Sequence, residues 1–123
     1  MSTDSIITDD WELDFKWLEV RHLLMDLMQL QSLPDLQSIL FLVGIQELGQ
    51  VKEEYTKEEK QDLIHIATCR LLSYDGHYEF EGIDADGWPH WKLISAIPFI
   101  DLKSQENYLK TKLIQYVHEN IKA

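Results

Sequence analysis

The segment that runs to about Leu48 from the helix start signal Ser32-Leu-Pro-Asp35 is apolar on nearly every side when it is drawn as a helix. Its large apolar residues leave almost no polar face: Leu36, Ile39, Leu40, Phe41, Leu42, Val43 and Ile45. A helix that is apolar all round must be covered by neighbouring elements. We therefore predict a central buried helix that ends at Gly49. Gly44 should allow a neighbouring element to approach it closely.

A first helix is predicted from Trp11 to about Gln31, before this buried segment. Its apolar residues are spaced by 4, 3, 4 and 3 positions, which is the spacing of one helical face: Leu13, Trp17, Val20, Leu24 and Leu27. Residues 1–9 are predicted to form a flexible acidic tail that ends at the candidate caps Asp9 and Asp10.

Two later helices are predicted from residues that can cap a helix. Thr56 followed by Glu59 has the pattern of a capping box, which predicts a third helix that runs to about Ser73. Beyond a loop that contains Pro98, Ser104 is a candidate cap for a fourth helix. Each of these helices has one apolar face, so each should pack inward on that side.

A period of two replaces the helical period after the third helix. Tyr78 and Phe80 alternate with charged residues, and residues 84–87 form the turn sequence Asp-Ala-Asp-Gly before a second segment, Trp88 to Ile94. This pattern predicts a single β-hairpin. Pro89 has no backbone N–H, so its strand should lie at an edge or end early.

These elements predict an α+β domain that is mainly α, with about four helices and one hairpin between helices 3 and 4. A chain of 123 residues is long enough to bury a core without metal or disulfide bonds, so residues 10–123 are predicted to form one globular domain. The order α-α-α-β-β-α resembles that of a winged-helix scaffold, in which the hairpin would be the wing. This resemblance implies a third helix that reads nucleic acid.

The charge of the chain disfavours nucleic acid and anionic membranes as partners. There are 22 acidic and 11 basic residues, and the residues up to Asp62 hold 14 of the acids and 5 of the bases. Such a field repels phosphate groups. The longest apolar run, Ile39 to Ile45, is too short to span a bilayer. With a single cysteine, Cys69, and no signal peptide pattern, we expect a cytoplasmic protein.

The third helix carries a polar ridge that could support chemistry. Glu58, Asp62, His65 and Cys69 lie on one side of this helix, away from its apolar face. His65 and Cys69 are four residues apart and could both bind a soft metal ion, but a closed zinc site needs four ligands. The ridge could equally be a solvated helix face. We identify no catalytic residue and no cofactor from the sequence.

Two aromatic surfaces are candidates for partner binding. On the first helix, Trp11, Phe15, Leu18 and Met25 form a second apolar stripe opposite the first. On the hairpin the candidates are Trp88, His90 and Trp91. Because Trp88 and Trp91 are three residues apart, one of them could lie at a surface, or both could clamp the hairpin onto the helices.

The sequence therefore favours a small acidic protein-interaction module, with a protein partner that could be a second copy of the chain in a homodimer. One alternative is a metal-binding protein or enzyme that uses the ridge of the third helix. The other is a nucleic-acid binder of winged-helix type.

Overall fold

The computed structural model describes residues 2–97 and 101–121, with side chains from residue 11 onward within those ranges. In this part of the chain there are four α-helices and one antiparallel hairpin, in the predicted order. The elements are α1 (Ser2–Met28), α2 (Leu36–Leu48), α3 (Lys57–Leu72), a 3-10 turn (Ser73–Asp75), β1 (Tyr78–Ile83), β2 (Pro89–Leu93) and α4 (Leu102–Asn120). The α+β fold, mainly α, is thus confirmed. The loop predicted around Pro98 lies outside the described residues.

The chain divides into two compact units. One unit contains α1 and α4, and the other contains α2, α3 and the hairpin. A single globular domain over residues 10–123 stays a prediction, and so does the winged-helix resemblance beyond the order of the elements. None of the helices in the described ranges combines the length and apolarity that a membrane crossing requires.

Helices α2 and α3 meet at Gly44. A Cβ atom at this position would lie 2.2 Å from the carbonyl oxygen of Leu63 and 2.7 Å from its carbonyl carbon. Only glycine therefore lets the two helices approach this closely. Ile39 and Val43 of α2 are almost completely buried, as are Leu63 and Ala67 of α3. This confirms the predicted role of the glycine, whereas the predicted burial of α2 holds for one side only, since Leu36, Phe41, Leu42 and Ile45 are partly buried. The helix begins at Leu36, so the predicted start at Ser32 was wrong; the residue before a proline, here Leu33, disfavours helical backbone angles.

Helix α3 begins and ends where the sequence predicted. The Thr56 hydroxyl accepts a hydrogen bond from the Glu59 backbone N–H at 3.0 Å, and the Glu59 carboxylate accepts one from the Thr56 N–H at 2.9 Å. Lys52 also pairs with this carboxylate, and that hydrogen bond is the main cause of the lowered pKa of Glu59. After Leu72 the chain makes a 3-10 turn and reverses at Gly76, whose φ is 79°.

The hairpin has one aromatic face. Tyr78 lies opposite Leu93 and Phe80 lies opposite Trp91, so these four side chains share a face of the two-stranded sheet. The register then shifts between Phe80 and Gly82, which is a β-bulge that leaves one residue of β1 without an opposite partner.

A three-residue loop with a glycine bulge closes the hairpin. The Gly87 N–H donates to the Asp84 carbonyl at 3.0 Å, and the Asp84 N–H donates to the Trp88 carbonyl at 2.9 Å. Gly87 has a φ of 88°, as this kind of loop requires at its last position. Trp88 therefore closes the turn and lies outside β2, which begins one residue later than predicted.

Helix α1 packs against α4 and buries the middle of the predicted apolar stripe, while Leu13 at the start of the stripe is half-buried. Trp17, Val20 and Leu24 are at most 7% exposed, whereas Leu27 at the end of the stripe is 43% exposed. The ammonium of Lys110 on α4 lies 5.8 Å from the centroid of the Trp17 ring. The buried residues of α4 are Leu109, Leu113, Ile114, Tyr116 and Val117.

The bounds of α1 differ from the prediction. The helix begins at Ser2, so the predicted start near Asp10 was wrong. Asp9 and Asp10 are the eighth and ninth residues of α1, so they lie inside the helix and do not cap it. The helix ends at Met28, a few residues early, because Gln29 adopts a positive φ of 55°. The flexibility predicted for residues 1–9 stays a prediction.

The cap of α4 also differs from the prediction. Asp101 caps this helix, since its carboxylate accepts a hydrogen bond from the Ser104 backbone N–H at 2.8 Å. The same hydrogen bond is the main cause of the lowered pKa of Asp101. Ser104 lies within the first turn, so its assignment as the cap was wrong.

We expect Gly44→Ala to lower the free energy of unfolding by about 1–3 kcal/mol, because the new methyl group would overlap the Leu63 backbone. This cost should exceed the gain of about 1 kcal/mol in helix propensity. Urea denaturation followed by circular dichroism measures the change. Gln46→Ala, at an exposed position of the same helix, is the control and should change stability by less than about 0.5 kcal/mol. An equally stable Gly44→Ala protein would contradict the close contact.

Candidate functional site

A pocket of about 400 Å³ lies between α3 and the hairpin. It joins two groups of residues that the sequence singled out separately, the polar ridge of α3 and the tip of the hairpin. The lining residues are Asp62, His65, Ile66, Cys69, Asp84, Trp88, Pro89, His90 and Trp91. Its volume is at the lower end of the range for small-molecule sites. Glu58, the first residue of the predicted ridge, does not line it.

Cys69 lies at the base of the α3 wall of the pocket. Its sulfur is 3.5 Å from Nε2 of His65, and the His65 ring meets the Tyr78 ring edge to face with centroids 6.3 Å apart. Burial raises the pKa of the Cys69 thiol to about 11, although a hydrogen bond with Tyr78 acts in the opposite direction. The pKa of Tyr78 is raised as well, first by burial and then by Cys69. The thiol is therefore neutral near pH 7 and is not an activated nucleophile.

The Asp84 carboxylate organises the hairpin wall of the pocket. One oxygen accepts hydrogen bonds from the backbone N–H groups of Asp86 at 2.9 Å and Trp88 at 3.0 Å, and the other lies 2.8 Å from Nε2 of His90. The contact with His90 is the largest cause of the lowered pKa of Asp84, followed by the Trp88 N–H. A carboxylate that orients an imidazole is a common arrangement in general bases. Here the same carboxylate also holds the turn together.

The two hairpin tryptophans are both half-buried, and both line the pocket. Trp88 packs against a buried cluster that contains Leu48, Leu63 and Ile66. The Trp91 ring meets Phe80 with centroids 5.3 Å apart. Its Nε1–H is buried and has no acceptor among the described residues, which costs about 1–3 kcal/mol. Partner binding by Trp88, His90 and Trp91 stays a prediction.

The weak metal candidates Asp62, His65 and Cys69 line the pocket together. Within residues 2–97 and 101–121, however, no group of three or more His, Cys, Asp and Glu side chains is arranged to hold a metal ion. A closed site would need four such ligands.

A second candidate site is the outer face of α1. Trp11 is 66% exposed, Phe15 52% and Leu18 42%, and the rings of Trp11 and Phe15 stack with centroids 5.7 Å apart and an angle of 8° between their planes. Met25, the fourth residue of the predicted stripe, is half-buried. We call Trp11, Phe15 and Leu18 the α1 aromatic face. It lies in the unit formed by α1 and α4.

The hairpin exposes apolar residues that the sequence did not single out as surface. Phe80, Ile83, Leu93 and Ile94 are each at least half exposed. Alternation predicted that Phe80 shares a face with Tyr78, and it does, but α3 covers only part of that face. The strand register, which pairs Tyr78 with Leu93, defines which residues lie on this face. It does not show whether the face is covered.

Comparisons with known proteins find no relative of this chain. No family model matches it, and no curated protein or solved structure is similar to it at a significant level. The function is therefore inferred from the residues of the chain itself.

We expect Cys69 to react with iodoacetamide more than about 100-fold more slowly in the native protein than in the protein unfolded by urea, at pH 7.5. The reason is that a thiol with a pKa of about 11 has far less thiolate at this pH than an ordinary cysteine with a pKa near 8.5. Mass spectrometry of alkylated samples gives both rates. A native rate within about tenfold of the unfolded rate would contradict the assignment of a neutral buried thiol.

We also expect the turn to lose protection at low pH. A carboxyl whose folded pKa is lowered stabilises the fold above its unfolded pKa of about 3.9, and this contribution disappears as the pH falls through the folded pKa. The amide hydrogens of Asp86 and Trp88 should therefore be better protected from exchange at pH 5 than at more acidic pH. NMR measures their exchange rates, which are divided by the intrinsic rates to give protection factors. Asp84→Ala should remove this pH dependence, whereas Asp86→Ala should keep it, because Asp86 contributes only its backbone N–H to the hydrogen bonds of the turn. An unchanged profile in Asp84→Ala would contradict the role of this carboxylate.

Proposed function

We propose that this protein is a protein-binding module whose contact surface is the α1 aromatic face. The stacked pair of Trp11 and Phe15 carries the proposal. More than half of each side chain is exposed, and Leu18 extends the same face by one turn. Apolar patches that remain exposed on a folded protein are typical of interaction sites, and aromatic residues are enriched at the centres of interfaces.

The geometry of this face suits it to act as an anchor. Trp11 and Phe15 stand four residues apart on one side of a helix, which presents their rings at a fixed spacing. The stacking of the two rings restricts their rotamers before any partner arrives. Less side-chain entropy is then lost on binding, and such preorganised aromatic side chains often dominate binding energy.

Other features of the chain agree with this proposal. The net charge of −11 disfavours phosphate-rich partners such as DNA, and it leaves proteins with basic surfaces as suitable partners. Cys69, the single cysteine, is free and buried. A chain without a disulfide is compatible with a reducing compartment, and we propose a cytoplasmic location on this ground.

The pocket between α3 and the hairpin favours a second candidate function, which is the binding of a small molecule. Its walls combine two indole rings with the imidazoles of His65 and His90, and convergent polar groups in an apolar pocket are typical of ligand sites. Most of its polar groups are already paired with one another, since Asp84 binds His90 and Cys69 lies beside His65. The rings of the α1 aromatic face stack on each other but leave more than half of Trp11 and Phe15 exposed, so we rank protein binding first.

Phe15→Glu tests the proposed function. Its side chain is exposed, so folding should be unaffected, but a charge in the centre of an interface should weaken binding by about 2 kcal/mol or more, which is about 30-fold. Proteins cross-linked to the wild type in cells would be identified by mass spectrometry, purified, and titrated against both proteins by calorimetry. The direct partner should bind the wild type and lose affinity for Phe15→Glu.

Val51→Glu is the matched control, because Val51 is an 85% exposed apolar residue outside α1. It should leave the affinity unchanged, and so should the double change His65→Ala and Cys69→Ala. A partner that binds Phe15→Glu as tightly as the wild type would contradict the proposal. Loss of binding in the His65/Cys69 variant alone would instead assign the function to the pocket.

A further inference from the structure

Within 60° of Phe15 around the axis of α1, the Asp, Glu, Lys and Arg residues that the structure describes have one sign. At about 100° per residue, Asp26, Glu19 and Glu12 lie about 20°, 40° and 60° from Phe15 around the helix axis. All three carboxylate side chains are exposed. The face therefore has an apolar centre and a flank of carboxylates.

The described side chains of α1 include no lysine or arginine within 60° of Phe15, although the exposed imidazole of His22 lies about 20° from Phe15 on the side of Trp11 and Leu18. Lys16 lies about 100° from Phe15, at the border of the face, and Arg21 lies about 120° away on the other side. The Arg21 side chain donates a hydrogen bond from Nε to the Pro34 carbonyl at 2.8 Å, which holds it there. Over its whole length α1 contains seven acidic and two basic residues.

This distribution of charge separates two possible occupants. A second copy of α1 laid across the face would bring mainly carboxylates against carboxylates, because the flank contains three of them and Lys16 at its border is the one lysine or arginine near it among the described side chains of α1. A partner with basic residues beside an apolar stripe would bring opposite charges together along the same line. From Glu12 to Asp26 the flank extends over about 21 Å, which is the length of a partner helix of about 14 residues.

We propose that the α1 aromatic face binds a basic amphipathic helix of another protein, and not a second copy of this chain. This inference rests on the proposed function and specifies the partner. The apolar stripe of the partner packs on Trp11, Phe15 and Leu18. Its lysine or arginine residues pair with the carboxylates of the flank, which sets the orientation of the helix and excludes acidic competitors.

The test uses two synthetic 14-residue helical peptides with the same leucine stripe, one flanked by lysines and the other by glutamates. Each carries a fluorophore, and its binding to the full chain is followed by anisotropy. We expect the lysine peptide to bind at least about tenfold more tightly than the glutamate peptide at 0.05 M NaCl. This preference should shrink at 0.5 M NaCl, where charges are screened beyond a few ångströms. The double change Glu19→Lys and Asp26→Lys should reverse the preference.

Phe15→Glu separates docking from a general attraction to an acidic protein. It adds one negative charge, so a purely electrostatic attraction would strengthen the binding of the lysine peptide, whereas docking on the face requires that binding weaken. Val51→Glu adds the same charge elsewhere and should not weaken it. Stronger binding by Phe15→Glu would overturn the inference.

The remaining outcomes distinguish this inference from the proposed function. If both peptides bind equally and Phe15→Glu weakens both, the preference for basic partners is wrong and the α1 aromatic face remains a binding surface. A dimer in sedimentation at micromolar concentration that Phe15→Glu dissociates would likewise overturn the basic partner but not the face. If neither peptide binds, and phosphatidylcholine vesicles bind in a Phe15-dependent way, both proposals are wrong.

Discussion

The contact between Gly44 and the Leu63 backbone determines the arrangement of the unit formed by α2, α3 and the hairpin. Because no side chain separates the two helices there, the apolar side of α3 is occupied by α2. The hairpin strands then lie beside His65 and Cys69, and Trp88 reaches the edge of the contact between α2 and α3. The position of the pocket thus follows from the absence of one side chain on the neighbouring helix.

Local patterns in the sequence were sufficient to predict the order of the elements. The capping box of Thr56 and Glu59, the glycine stop at Gly49 and the turn sequence at residues 84–87 all act over a few residues, and the structure contains each of them. The first turns of α1 and α4 were harder to predict. Asp and Ser serve both as caps and as first-turn residues, so Ser104 and Asp101 compete for the same position with nearly equal propensity.

The sequence singled out several residues of the candidate pocket, but it did not predict that they lie together. His65 and Cys69 were identified from helical spacing and Trp91 from the hairpin, yet periodicity within an element contains no information about which elements meet. The exposure of the hairpin face could not be predicted for the same reason. Alternation shows which residues share a side of a strand, but not how much of that side another element covers. By contrast, the residues that share the α1 aromatic face follow from the spacing within one helix, whereas their exposure does not, and their role in partner binding stays a prediction.

The bulge in β1 and the proline in β2 make it harder for the hairpin to pair with strands of other molecules. A two-stranded sheet has two open edges, and each could recruit a strand of another molecule. The register shift before Gly82 interrupts one edge, and Pro89 removes a backbone donor from the other strand. A hairpin that carries exposed Phe80 and Leu93 is thereby protected against growth into a larger sheet, although its side chains alone would favour aggregation.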